Sequence, residues 1–316
     1  MPEITHRTIQ TNGINMHIAE SGSGPLVVLC HGWPESWYSW RHQLAALAEA
    51  GYHAVAPDQR GYGQTDKPHE IDQYTQLHMV GDIVGLLDAL GEKTATIVGH
   101  DWGAPVAWNS ALMRPDRFPA VVGMSVPYGP RGDFQPTAGL KAAFGENFFY
   151  ILYFQEPGKA EAEFEADVDR TMRTLMRAAS ADVEAPAAMP VKPKTSTFFD
   201  GVPGPGSLPA WLTEADINYF VGEFKRSGFR GGLNWYRNID RNWELMGAWR
   251  GAKVTVPALF ITGEKDVVRT FAPEAGIRDN VPNLKDLVLV PGAGHWVQQE
   301  KPAEVNAALI KFLKSL

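Results

Sequence analysis

The sequence of 316 residues contains a single cysteine, Cys30, and therefore cannot form an internal disulfide. For the same reason, a cysteine-based zinc cluster is excluded. No stretch approaches the roughly 18 apolar residues of a membrane-spanning helix, and the first residues lack the apolar segment of a secretory signal. Together with the absence of any Asn-x-Ser/Thr acceptor, these features predict a cytoplasmic protein that does not insert into membranes.

Positive charge is also scarce, since 29 Lys and Arg face 36 Asp and Glu and the formal net charge is −7. This balance predicts no nucleic-acid partner. The phosphate-binding pattern GxxxxGK[ST] and the zinc-binding pattern HExxH are both absent, so we expect neither a cofactor nor a metal. An apolar fraction of 44% is enough for a sizeable core, and we expect a soluble monomer or homodimer.

Strand and helix patterns alternate through the first 126 residues and return near the C-terminus. Asn12-Gly13 predicts a hairpin between strands at 6–11 and 14–19. Further strands are predicted at 26–30, 53–56, 94–98, 120–126, 258–262 and 287–290, and helices at 39–50, 77–90, 103–113 and 302–315. Alternation of this kind predicts an α/β fold with a mostly parallel central sheet flanked by helices.

The alternation is interrupted by a long segment that is helix-like and rich in aromatic residues. We predict a core domain formed by 1–128 and 244–316 and an inserted helical cap, or lid, at 129–243. The cap contains a proline-rich stretch at 186–209. This stretch either shapes a pocket entrance or spans the cap surface, and the sequence leaves both possibilities open.

A predicted strand leads into GHDWG (99–103), after which a helix is expected. This arrangement resembles the nucleophile elbow of the α/β-hydrolases, with Asp101 where serine is more common. Asp101 would adopt a positive φ, with glycine needed two residues away on either side for close strand–helix approach. The alternative is that Asp101 only caps the helix. A carboxylate nucleophile forms a hydrolysable ester with a saturated carbon, which predicts epoxides or alkyl halides as substrates.

Hydrolysis of such an ester needs a base to activate water. His295 lies in the glycine-rich segment PGAGHW after the last predicted strand, and Asp266 lies in GEKDVV after the preceding strand. The order Asp101, Asp266, His295 matches the nucleophile–acid–histidine order of α/β-hydrolases. We therefore predict that Asp266 orients His295 and stabilises its charged form. Taken singly, the two residues could instead be a turn aspartate and a surface histidine.

A second turn, HGWP at 31–34, follows the predicted strand 26–30. The backbone N–H groups of Trp33 and Trp102 are predicted to form an oxyanion hole for the tetrahedral intermediate at the Asp101 carboxyl. We also predict a cis Trp33–Pro34 bond, because such bonds occur in tight turns of this kind. His31 is predicted to be a structural hydrogen-bonding residue rather than a base.

Two segments of the insertion, FFYILYFQEPG (148–158) and GFRGGLNWYRN (228–238), resemble the cap segments of soluble epoxide hydrolases. With HGWPESW, GHDWG, GEKD and GHW, the resemblance covers essentially the whole chain. It is strongest to bacterial and plant enzymes and to the C-terminal hydrolase domain of the mammalian protein. By motif position, the resemblance implies that Tyr150 and Tyr236 assist opening of the epoxide ring. Tyr153, three residues from Tyr150, is a competitor for the first role.

The resemblance implies an epoxide hydrolase that uses water to convert lipophilic epoxides to vicinal diols. A haloalkane or haloacetate dehalogenase would share Asp101, Trp102 and His295, but it has no use for the tyrosine pair. A hydrolase fold used only for binding would have a broken triad. Of the ten tryptophans, Trp33, Trp102, Trp235 and Trp296 flank the proposed site residues, which predicts a dry aromatic pocket.

Overall fold

The computed structural model of the chain describes residues 2–182 and 192–316. Its central sheet consists of β1 (Thr5–Thr11), β2 (Ile14–Ser21), β3 (Leu26–Cys30), β4 (His53–Pro57), β5 (Thr96–His100), β6 (Ala120–Met124), β7 (Ala258–Gly263) and β8 (Leu284–Val290). The spatial order is β1-β2-β4-β3-β5-β6-β7-β8. β1 and β2 pair as an antiparallel hairpin, β2 lies antiparallel to β4, and β3 to β8 run parallel. The predicted, mostly parallel α/β architecture is confirmed.

Helices cover the sheet and fill the interval between β6 and β7. Those connecting the early strands are α1 (Arg41–Glu49), α2 (Gln76–Leu90) and α3 (Gly103–Met113). The interval contains α4 (Pro136–Phe144), α5 (Tyr150–Tyr153), α6 (Lys159–Glu165), α7 (Val168–Ala178), α8 (Glu214–Ser227), α9 (Arg230–Arg237) and α10 (Ile239–Leu245). The C-terminal helices are α11 (Ile277–Asn280), α12 (Val297–Glu300) and α13 (Pro302–Leu313). Short 3-10 helices occupy Trp37–Trp40, Ile71–Tyr74, Met246–Trp249 and Val267–Thr270.

The central strands are apolar along their whole length because both of their faces are covered. Successive side chains of a strand point to opposite faces. In β3, Val28 and Cys30 therefore join one apolar cluster, whereas Val27 and Leu29 join the other. All five residues of β3 are buried. This central position explains why the segment is an uninterrupted apolar run.

Several element boundaries differ from the sequence-based expectation. β5 occupies 96–100 instead of 94–98, so the nucleophile elbow follows its last residue directly. β6 ends at Met124, two residues early, because Ser125 adopts a φ of 68° that a strand does not accommodate. β8 begins three residues early, at the buried Leu284. The predicted helix 39–50 divides into a 3-10 turn and α1.

The described part of the interval between β6 and β7 adds no strand to the sheet. Its helices share an aromatic interior in which Phe164 packs against Phe154 and Phe229. Part of the proline-rich stretch, including Pro186 and Pro190, lies outside the described residues. Among the described helices, none is both long and apolar enough to cross a lipid bilayer.

The contact between β5 and α3 should be sensitive to a single methyl group. A Cβ at Gly99 would lie 1.9 Å from the Gly103 carbonyl oxygen, a backbone atom that cannot rotate away. We expect Gly99→Ala to lower the free energy of unfolding by about 3 kcal/mol, because the strand and helix must separate. Denaturant unfolding measures this change.

Gly222 in α8 provides the matched control for this substitution. A Cβ at this position meets nothing within 4 Å. Gly222→Ala should leave the free energy of unfolding unchanged or raise it by up to about 1 kcal/mol, through the better helix propensity of alanine. Equal effects of the two substitutions would contradict a specific role for the strand–helix contact.

Candidate active site

Asp101 lies in the turn between β5 and α3 with a φ of 49°. A Cβ at Gly103 would lie 2.0 Å from the Cys30 carbonyl oxygen, so a larger residue would push α3 away from β3. Trp102 is the residue that caps α3, and the cap has no side-chain hydrogen bond. Asp101 therefore does not cap the helix, and its carboxylate is available for other contacts.

The two carboxylate oxygens of Asp101 have different environments. Oδ1 accepts a hydrogen bond of 2.8 Å from the Trp33 N–H, and the Trp102 N–H lies close enough to lower the pKa of the carboxylate. Oδ2 lies 3.7 Å from His295 Nε2. Burial raises the pKa of Asp101, while the charge of His295 and the two backbone N–H groups oppose the increase. The Trp33–Pro34 peptide bond is cis, as the sequence predicts.

His295 follows β8, and Asp266 follows β7, the neighbouring strand. His295 Nδ1 lies 3.1 Å from Asp266 Oδ1, and both side chains are buried. Burial alone would lower the pKa of His295, but the charge and hydrogen bond of Asp266 outweigh it and raise the pKa to about 9. Burial would raise the pKa of Asp266, yet His295 lowers it to about 2. At neutral pH the two residues are therefore a buried ion pair.

Tyr150 is the first residue of α5, and Tyr236 lies in α9. The centroids of their rings are 6.0 Å apart. Burial raises the pKa of both phenols, and the Asp101 carboxylate raises both further. Both hydroxyls are thus protonated at neutral pH and lie within the field of Asp101. Tyr153 differs, because its hydroxyl donates a 2.7 Å hydrogen bond to Glu163.

Aromatic rings surround these residues. Tyr236 packs edge-on against Trp102 at 5.0 Å and against Trp33 at 5.8 Å between ring centroids. Trp235 contacts Trp102, and Trp296 packs against His295. The four tryptophans singled out in the sequence therefore all border the candidate site. In the part of the chain that the structure describes, no group of three or more His, Cys, Asp or Glu side chains is placed to bind a metal ion.

Sequence reasoning missed a buried pair beneath the nucleophile, Glu35 and His100. His100 Nδ1 lies 2.6 Å from Glu35 Oε1, and its Nε2 lies 2.8 Å from the His295 carbonyl oxygen. Both ring nitrogens of His100 thus face acceptor oxygens. Burial would raise the pKa of Glu35, but His100 lowers it to about 2. The sequence signal that could have indicated this pair is that Glu35 lies in the motif HGWPESW and His100 in GHDWG.

The structure also locates two further residues, of which only the first departs from the sequence-based expectation. Ser125 was assigned to a strand, but its hydroxyl lies 3.1 Å from His295 Nδ1 and it has positive φ. Only its position after a strand end, next to the other catalytic loops, could have indicated this. His31 is buried, with Nδ1 bonded to the Gly32 carbonyl and Nε2 accepting from the Gln59 N–H. Its predicted structural role agrees with these bonds.

Comparison with known proteins identifies relatives across the whole chain. A family described as alpha/beta hydrolase fold matches residues 25–302. Epoxide hydrolase A of Mycobacterium tuberculosis is 48% identical over 99% of this chain and 98% of its own length. Epoxide hydrolase 3 of Siraitia grosvenorii is 46% identical, with 99% of each chain covered.

Solved structures give the same result. The crystal structure of epoxide hydrolase A from Mycobacterium thermoresistibile superposes with a TM-score of 0.95 at 49% identity, covering 99% of both chains. Identity at this level over the full length extends from the sheet through the helices between β6 and β7. The chain therefore belongs to the α/β-hydrolase-fold family and, within it, to the epoxide hydrolases.

Proposed function

We propose that the chain converts lipophilic epoxides to vicinal diols through a covalent ester on Asp101. The observation that carries this proposal is the different environment of the two Asp101 oxygens. Oδ1 accepts a hydrogen bond from the Trp33 N–H, whereas Oδ2 faces His295. Tyr150 and Tyr236 supply two protonated phenols within the field of the same carboxylate. A nucleophile and acids for the leaving oxygen are thus present together.

In the first step, Asp101 Oδ2 attacks a carbon of the epoxide and the bond from that carbon to the ring oxygen breaks. The released alkoxide is a strong base, and it takes a proton from Tyr150 or Tyr236 while the other hydroxyl donates a hydrogen bond. Burial raises the pKa of both phenols and keeps them protonated in the resting enzyme. Surrounding indoles exclude water and favour lipophilic substrates.

In the second step, His295 removes a proton from water, and the resulting hydroxide attacks the ester carbon of Asp101. The negative charge that develops on Oδ1 is stabilised by the N–H groups of Trp33 and Trp102. When the bond between the ester carbon and the ester oxygen breaks, the diol oxygen takes the proton from His295, and the new carboxyl group of Asp101 returns a proton to the tyrosinate left by the first step. Ester formation has meanwhile removed the charge of Asp101, which is one cause of the raised pKa of His295. Alkylation thereby lowers the pKa of His295 and prepares it to act as a base.

The structure also supports the two-part organisation expected from the sequence. We place the core domain at 1–128 and 244–316 and the cap at 129–243. The core provides Asp101, Asp266 and His295, and the cap provides both tyrosines. Substrate and water would then react at the boundary between the two parts, with neither a cofactor nor a metal.

A dehalogenase would share the nucleophile and the base but would release halide. A halide is a weak base and needs no proton, so two protonated phenols within the field of Asp101 would have no role. Turnover of matched epoxide and halide substrates separates the two activities. Diol formation without halide release is the expected result.

A single turnover in ¹⁸O-labelled water tests the covalent route. Because water attacks the ester carbon, the label should enter the carboxylate of Asp101 and the first diol should remain unlabelled. Mass spectrometry of the peptide that contains Asp101 detects the incorporation. Label found only in the diol would show that water attacks the epoxide directly, and the proposed route would be wrong.

The tyrosine assignment has a matched control within the same short helix. Tyr150→Phe and Tyr236→Phe should each lower the alkylation rate about a hundredfold, because the alkoxide loses a proton donor or a hydrogen bond. Tyr153→Phe removes a hydroxyl that bonds Glu163, and alkylation should stay within about twofold of wild type. Rapid-quench measurement of ester formation compares the three variants. A larger effect at Tyr153 than at Tyr150 would reverse the assignment.

The rate constant for ester hydrolysis should rise with pH and reach a plateau. Only neutral His295 can accept a proton, and its pKa is about 9 while Asp101 is charged. Since the ester is neutral, the midpoint of the rise should fall below that value. Single-turnover hydrolysis across pH measures it. A rate that decreases with rising pH would exclude neutral His295 as the base.

A further inference from the structure

We propose that Glu300 is a positioning residue that fixes His295 to the end of cap helix α7, an inference that rests on the proposed function. The relevant loop, residues 291–296, contains His295 and is called the histidine loop below. Glu300 is the last residue of α12, which follows this loop directly. It does not touch the reacting atoms, and its effect on them would pass through His295.

The Glu300 carboxylate binds the residues on both sides of His295. Oε2 accepts a 2.9 Å hydrogen bond from the Gly294 N–H, and Oε1 accepts a 3.0 Å bond from the Trp296 N–H. Oε2 also accepts a 3.1 Å bond from the N–H of Ala181, beyond the end of α7. One side chain thus holds the histidine loop and the cap segment at once.

Direct bonds between the loop and the end of α7 complete the attachment. The last carbonyl groups of a helix lack partners within the helix and need donors from elsewhere. The indole N–H of Trp296 donates to the Met176 carbonyl at 2.8 Å, and the His295 N–H donates to the Ala179 carbonyl at 2.9 Å. The backbones are so close that a Cβ at Gly294 would lie 2.4 Å from the Ala181 nitrogen.

A carboxylate suits this position because three N–H donors require acceptors on both of its oxygens. Burial raises the pKa of Glu300, and the three backbone N–H groups oppose that increase. Glutamine keeps the shape but offers only one acceptor oxygen. In Glu300→Gln, the amide NH₂ must face at least one of the three N–H groups. That donor loses its acceptor, and the histidine loop loses part of its attachment.

The two chemical steps should respond differently. Asp101 attacks the epoxide without help from a base, so alkylation depends little on the position of His295. Hydrolysis requires His295 Nε2 to lie within hydrogen-bonding distance of the water, and small misplacements are costly. Loss of the Glu300 bonds should therefore slow hydrolysis selectively and cause the ester to accumulate.

The test compares Glu300→Gln with Glu304→Gln, which removes the same charge from an exposed position in the first turn of α13. Styrene oxide serves as the probe, and rapid quench with mass spectrometry measures both rate constants. We expect Glu300→Gln to slow hydrolysis about tenfold and to keep alkylation within about twofold. The Glu304→Gln variant should match wild type in both steps. Unchanged hydrolysis, or an equal loss in both steps, would overturn the proposal.

Trp296→Phe provides a second variant should Glu300→Gln fold poorly. It removes the indole bond to Met176 and keeps the aromatic bulk, so a smaller but still selective slowing of hydrolysis is expected. Equal slowing of both steps by this variant would also overturn the proposal.

Hydrogen exchange separates this inference from the proposed function. In the intact protein, Glu300→Gln should accelerate amide exchange in residues 292–297 and 176–182 together, relative to Glu304→Gln. Unchanged exchange in either segment would overturn the positioning role whatever the enzyme acts on. If wild type formed no ester from the epoxide, the proposed function would fail, and exchange alone would decide the role of Glu300.

Discussion

The close approach of α3 to the central strands is the constraint on which the site depends. Gly103 lies against the Cys30 carbonyl and Gly99 lies against Gly103, so no side chain larger than hydrogen fits at either position. This contact forces Asp101 into positive φ and projects its carboxylate above the carboxyl ends of the parallel strands. The same approach brings the N–H groups of Trp33 and Trp102 to the carboxylate. The position and surroundings of the Asp101 carboxylate are thus consequences of one backbone packing arrangement.

Electrostatic balance is the second requirement of this arrangement. The partly buried Asp101 and the buried Asp266 and Glu35 face two imidazole rings, His295 and His100. Protonated His295 pairs with Asp266, and the negative charge of Asp101 lies nearby, where the Trp33 N–H partly offsets it. In the proposed mechanism, ester formation on Asp101 removes that charge, so the second step begins from a less negative site in which His295 gives up its extra proton more easily.

Local motifs made most of this site predictable. GHDWG specifies its own turn because its glycines and aspartate are adjacent in sequence, and the positions of Asp266 and His295 follow from the strand order. The Glu35–His100 pair was not predictable, because its members are 65 residues apart in the sequence and neither residue type by itself indicates a buried partner. Ser125 was hidden by an apolar pattern that continues past the true end of β6. A short motif identifies a residue from its neighbours in sequence, whereas the contact between two distant buried side chains depends on the complete fold.

The choice between Tyr150 and Tyr153 shows the same limit in a single helix. Three residues apart, they lie near one another on a helix, and spacing alone does not distinguish them. A carboxylate from the next helix, Glu163, binds the Tyr153 hydroxyl and removes it from consideration as a free donor. The Tyr150 ring packs against the rings of Phe149, Phe154 and Tyr236. In the proposed mechanism, its hydroxyl donates a hydrogen bond to the substrate. The fold thus satisfies the Tyr153 hydroxyl within the protein, which favours Tyr150 for the proposed role in ring opening.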